Sequence, residues 1–168
     1  MKEKRLDHLV YLLKKMKENN EPKAIVLMGA GCSFSAGIPT ANQIVEDVLD
    51  RFNDHPDIKH CDPETIRYAE LMEYLGPLQR NKLFKSYVEN AKINISHIYM
   101  AHLMSLGYLD YILTVNFDNL AQRALALYNI FPPTYDISAL KDLTTTSLDT
   151  QSVTYLHGTY NGLWQISN

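Results

Sequence analysis

The stretch Ala24-Ile25-Val26-Leu27-Met28-Gly29-Ala30-Gly31-Cys32-Ser33-Phe34-Ser35-Ala36-Gly37-Ile38-Pro39-Thr40 decides the fold. The apolar run Ala24 to Met28 stands between Pro22 and Gly29. A short unbroken apolar run between breakers predicts a strand buried on both faces, as in a parallel sheet. Gly29 and Gly31 lack a Cβ, so a diphosphate can approach the main chain closely. Backbone N–H groups in such a turn point at an anion, and a helix N-terminus adds partial positive charge. The stretch thus reads as strand, glycine turn and approach to a helix, the build of a phosphate cradle. An ordinary glycine turn fits a bare Gly-x-Gly as well.

Two common nucleotide motifs fail. A P-loop needs Gly-Lys and then Ser or Thr after its glycines, and no lysine lies between Lys23 and Lys59. The dehydrogenase fingerprint needs Gly or Ala three places after Gly31, where Phe34 stands, and an acidic residue about 20 residues on at a strand end. Glu46, Asp47 and Asp50 fall inside a helical pattern instead. Hydride transfer is disfavoured.

Around the cradle the chain alternates helices and strands. Leu6, Leu9, Val10, Leu13 and Met16 recur at helical spacing, predicting a helix over 5–19. After the strand and loop, Ile44, Val45, Val48, Leu49 and Phe52 share one face of a helix over 41–52. A polar connection, 54–62, ends at Asp62-Pro63-Glu64, which reads as an N-cap with proline at the first helical position. That helix runs to about Leu75, Gly76-Pro77 breaks it, and another runs to about Lys92. Ser96 caps a further helix that Gly107 ends. Asp110 to Val115 is a strand, Asp118 to Tyr128 a helix, and Val153 to Leu156 the last strand. Pro132-Pro133 interrupts between them, and Thr144 to Ser147 reads as a loop.

The order helix, strand, helical insertion (about 54–107), strand, helix, strand predicts an α/β, Rossmann-like, doubly wound and mostly parallel sheet. Ligands of such sheets sit beyond the carboxyl ends of the strands. Gly29, Asn116 and His157 each fall at or just past such an end. Three polar features distant in sequence would converge on one crevice.

Three segments resemble the sirtuins, the NAD-consuming silent-information-regulator fold. Gly29-Ala30-Gly31-Cys32-Ser33-Phe34-Ser35-Ala36-Gly37-Ile38-Pro39 is similar to the first sirtuin signature. Thr114-Val115-Asn116-Phe117-Asp118 is similar to Thr-Gln-Asn-Ile-Asp, and Leu156-His157-Gly158 to the His-Gly motif. The segments occur in the family's order. The chain departs from the deacetylases, which follow Gly-Ile-Pro with Asp-Phe-Arg, where Thr40-Ala41-Asn42 stands here. Their zinc needs two Cys-x-x-Cys pairs, whereas Cys32 and Cys61 are the only cysteines. No metal is expected. The pattern looks more like the bacterial sirtuin-like effector domains, which hydrolyse NAD in antiphage defence.

The resemblance implies a role for each site residue. The backbone at Gly29, Ala30, Gly31 and Cys32 holds the pyrophosphate, with Ser33 supporting the turn and Gly37-Ile38-Pro39 completing the signature. Asn116 bonds the nicotinamide ribose and the attacking water. Asp118 reads the carboxamide. His157 is the general base, with a pKa near working pH. The residues also allow plainer readings. Asn116 is a turn residue holding its own backbone, Asp118 the N-cap of the next helix, and His157 a histidine at a strand end. Cys32 reads as a small packing residue. His97 and His102 share no helix face well enough to bind metal, and His55, His60 and Cys61 lack a fourth ligand.

Composition bounds the rest. A chain of 168 residues with net charge −3 is one domain's worth, with no case for nucleic acid as a partner. Lys2, Lys4, Arg5, Lys14, Lys15 and Lys17 read as a solvated helix face. The run Leu9 to Leu13 is too short for a signal or membrane segment. Two cysteines fit a reducing cytoplasm. Only about ten residues follow Gly158, so the domain is expected to be the N-terminal part of a longer chain, controlled by homo-oligomerisation, a regulatory sensor domain or a partner protein. The expected activity is NAD glycohydrolysis. The alternatives are a non-catalytic NAD- or ADP-ribose-sensing module, or a deacylase or ADP-ribosyltransferase.

Overall fold

The computed structural model describes residues 5–137 and 147–160. Its centre is a four-stranded sheet: β1 (Ala24–Met28), β2 (Leu109–Thr114), β3 (Thr134–Asp136) and β4 (Ser152–Tyr155). The spatial order is β1-β2-β4-β3, and every neighbouring pair is parallel. Parallel pairing demands long crossovers, and the longest, between β1 and β2, carries most of the helices. The chain is therefore an α/β protein of the Rossmann-like class. Register sets Met28, Thr114, Tyr155 and Asp136 in one row, so the carboxyl ends of all four strands are level.

Helices α6 (Ile95–Ser105) and α7 (Leu120–Ala126) cover one sheet face. Ala101, Met104, Ala121, Ala124 and Leu125 pack there with Met28, Ile112, Val153 and Tyr155. The alanines let the two helices approach each other and the sheet. A second cluster joins α3 (Ala41–Arg51), α4 (Tyr68–Tyr74) and α5 (Pro77–Asn90) through Ile44, Val48, Leu71, Leu75, Phe84 and Val88. Phe117, just past β2, stacks edge-on against Phe84 with ring centroids 4.5 Å apart. The helical insertion is thereby fastened to the carboxyl end of the sheet.

Several expectations are corrected. β1 is buried on one face only: Ile25 and Leu27 are 59% and 66% exposed. It lies at the sheet edge, and α6 and α7 cover the opposite face. The N-terminal helix α1 (Leu6–Glu18) forms as expected but has no buried residue. Asp62 makes one turn rather than a helix: its Oδ1 accepts the Glu64 N–H, and its carbonyl accepts those of Thr65 and Ile66. Ile66 then packs on the core, Arg67 is extended, and helix resumes at Tyr68. The cap of α6 is Asn94 rather than Ser96, because its Oδ1 accepts the N–H groups of Ser96 and His97. Strand β3 had no counterpart in the sequence reading. The run Thr144 to Thr146 and the segment after Tyr160 lie outside the described residues.

Candidate functional site

The glycine turn leaves β1 and makes a single helical turn, α2 (Gly31–Phe34). The long helix after it starts only beyond Pro39, because Gly37 at φ +93° reverses the chain. The helix-end charge expected at the cradle is therefore that of one turn. The N–H groups of Cys32 and Ser33 donate to Gly29 and Ala30 carbonyls at 2.9 and 3.0 Å. Those two amides hold the turn, so an anion here would be taken by the amides of Ala30 and Gly31. A Cβ built on Gly31 meets nothing within 4 Å, and one on Gly29 meets only Val115 Cγ2 at 3.9 Å. Packing does not require either glycine, so the space over the turn is open.

Hydrogen bonds carry the strand row one step further. Val115 N–H donates to the Met28 carbonyl at 3.1 Å, and Leu156 N–H to that of Thr114 at 2.8 Å. Gly29, Asn116 and His157 therefore leave adjacent strands at the same level. Asn116 is 7% exposed. Its Nδ2 donates to the Gly29 carbonyl at 3.1 Å and to Ser33 Oγ at 3.0 Å. A carbonyl can only accept, which fixes the amide's orientation. Both N–H protons hold the glycine loop, and what Asn116 has left to offer is its Oδ1 acceptor. Ser33 is fully buried, with its Oγ accepting from Asn116.

A cavity of about 220 Å³ lies between the carboxyl end of the sheet and helices α3 and α4. Its walls include Ala30, Ile38, Pro39, Asn116 and Asp118, with Tyr68 opposite. Five expected site residues from two distant segments thus meet in one place. The volume is below the roughly 300–1,000 Å³ of pockets that take drug-sized ligands.

Asp118 is a turn residue and part of the cavity wall; the N-cap of α7 is Asn119, not Asp118 as expected. Its Oδ1 accepts the Leu120 N–H at 3.0 Å, while the buried Oδ2 of Asp118 has no hydrogen-bond partner. Its carbonyl accepts the Tyr155 hydroxyl at 2.7 Å, which fixes the backbone from below. A buried acceptor left unmade costs about 1–3 kcal/mol.

The remaining expected residues do not line the cavity. Gly29, Gly31, Cys32, Ser33 and Gly37 shape the loop behind it. Cys32 is half-buried against the sheet cluster, a packing residue. His157 is exposed and stands away from the cavity walls. The chain after it folds back, with Tyr160 N–H donating to the Phe117 carbonyl at 2.9 Å.

Two neighbours of the site were missed in the sequence. Tyr68 carries a phenol pushed up to about 12 by burial. His97 is 1% exposed, and burial lowers its pKa against the opposing charge of Asp118. Neither sits in a motif, and His97 was weighed only as a metal ligand. Among the described residues no group of three or more His, Cys, Asp or Glu could hold a metal ion, and no helix is long and apolar enough to cross a membrane. No family model matches the chain, and no curated protein matches it significantly.

Proposed function

We propose that the domain is a cytoplasmic NAD glycohydrolase of the sirtuin-like effector kind, cleaving the nicotinamide–ribose bond to give nicotinamide and ADP-ribose. One observation carries this reading. The glycine-loop segment and the Asn116–Asp118 segment wall a single cavity at the carboxyl ends of parallel strands, where ligands of such sheets bind.

The chemistry needs little covalent help. Nicotinamide is a cationic leaving group, and its departure leaves an oxocarbenium-like ribose that water attacks. The amides of Ala30 and Gly31 would hold the pyrophosphate over the open glycine turn. Asp118, in the cavity wall, would read the carboxamide. Asn116 Oδ1 would accept from the attacking water or a ribose hydroxyl, since both its N–H protons serve the loop. His157, on the strand beside Asn116, would take the proton that water gives up. Positioning of this kind supplies several kcal/mol of a barrier.

Exposure of His157 favours a second reading, a sensor that binds NAD or ADP-ribose without turnover and regulates a partner or an oligomer. Nicotinamide release from NAD with no acceptor present separates the two. The full chain should release it, and Asn116→Ala and His157→Ala should each lose about a hundredfold or more. Undiminished release in both variants overturns the site. Tight NAD binding with no release under any condition selects the sensor.

A further inference from the structure

The acidic wall of the cavity has a neighbour that no motif supplies. His97 sits in the first turn of α6, almost wholly buried. Its Nδ1 accepts the Asn94 N–H at 3.3 Å, so the neutral ring carries its proton on Nε2. That Nε2 is buried with no hydrogen-bond partner, and so is Asp118 Oδ2. One is a donor and the other an acceptor, and the charge of Asp118 is felt at the imidazole. Buried polar groups in native proteins are rarely left unmade.

We propose that His97 is the positioning residue of Asp118: its Nε2–H, through one buried water, holds the carboxylate in place beside the cavity. This rests on the reading of Asp118 as the residue that reads the carboxamide. The link extends further back. Asn94 Nδ2 donates to the Cys32 carbonyl at 2.7 Å and to Ser35 Oγ at 2.8 Å. The glycine loop therefore sets Asn94, Asn94 sets the imidazole, and the imidazole sets the carboxylate. The phosphate end and the carboxamide end of the ligand are read through one connected path.

Two measurements on the full chain test this. The first needs no ligand. Nitrogen-15 spectra should show His97 as the Nε2-protonated neutral tautomer near neutral pH. Asp118→Asn should move its titration to lower pH, because it removes the anion that favours the imidazolium. An unchanged titration, or the Nδ1-protonated tautomer, overturns the proposal. The second uses NAD. His97→Leu should raise KM about tenfold or more, the loss of one hydrogen bond to a charged group, with kcat much less affected. His97→Gln, which keeps an N–H at similar reach, should restore most of that loss. Equal defects in both variants would make His97 merely structural. If the full chain neither binds nor cleaves NAD, the functional reading fails while the titration still decides the His97–Asp118 link. If His97→Leu does not fold, Asp118→Asn and His97→Gln carry the test.

Discussion

The amide of Asn116 is committed twice to the glycine loop, to a carbonyl and to a hydroxyl, which turns a residue expected to touch substrate into one that also shapes the cradle. The sequence offered a substrate contact or a turn residue holding its own backbone; the amide instead holds the distant glycine loop, and its separate acceptor stays available. Gly31 isolates the ligand's share of the loop. A methyl at Gly31 meets nothing within 4 Å, and the position is helical, where alanine is favoured by up to about 1 kcal/mol. Gly31→Ala should melt at or slightly above the wild-type temperature yet bind NAD at least about tenfold more weakly, through the lost close approach. Calorimetry of unfolding and of binding on one preparation would check it, and unweakened binding would remove the cradle from the site. Asn116 and Asp118 were legible because each follows a strand end. Tyr68 and His97 were not, because a side chain that reaches a cavity from inside a helix leaves no local pattern.

Elements meet at Asn94. It caps α6 through Oδ1 and fastens that helix to α2 through Nδ2. Losing an N-cap costs about 1 kcal/mol, and leaving the buried side of the Cys32 carbonyl unmade adds to that. Asn94→Ala should therefore cost about 2 kcal/mol in urea unfolding, whereas Asn94→Asp, keeping the cap but losing the donors, should recover only the cap's share. Full recovery by Asp would mean that the tie to the loop contributes nothing. Strand limits were legible to within a residue because Pro22 and Gly29 bracket β1 and Gly107 precedes β2. The three residues of β3 were too few to show a period, with Pro132-Pro133 arguing against a strand. The cap moved from Ser96 to Asn94 because helical spacing alone does not say which polar residue faces back along the axis. The exposed face of β1 was illegible for a different reason: an apolar run reports that a residue could be buried, not what is there to bury it.

Across the whole molecule, buried titratable groups set the pH limits of the fold. Burial raises the phenols of Tyr68, Tyr87 and Tyr155 above their usual value of 10.0. Their contribution to stability is complete below pH 10 and is lost as pH climbs toward their higher folded values. The imidazole of His97 is lowered from 6.5, so its contribution is complete above that pH and is lost as pH falls below it. Urea midpoints should thus be flat between about 7 and about 9.5 and decline on both sides. Tyr155→Phe should shallow the alkaline limb and His97→Gln the acid one, and limbs unmoved by either variant would place the titrating groups elsewhere. The pinning of the glycine loop has a consequence in time as well. The bond from Asn116 to Gly29 joins positions 87 residues apart, and parallel pairing of β1 with β2 must precede it. Closing so long a span is slow and comes only after nearer contacts have formed. During synthesis the loop emerges before the whole insertion and stays unset until β2 and Asn116 have followed it.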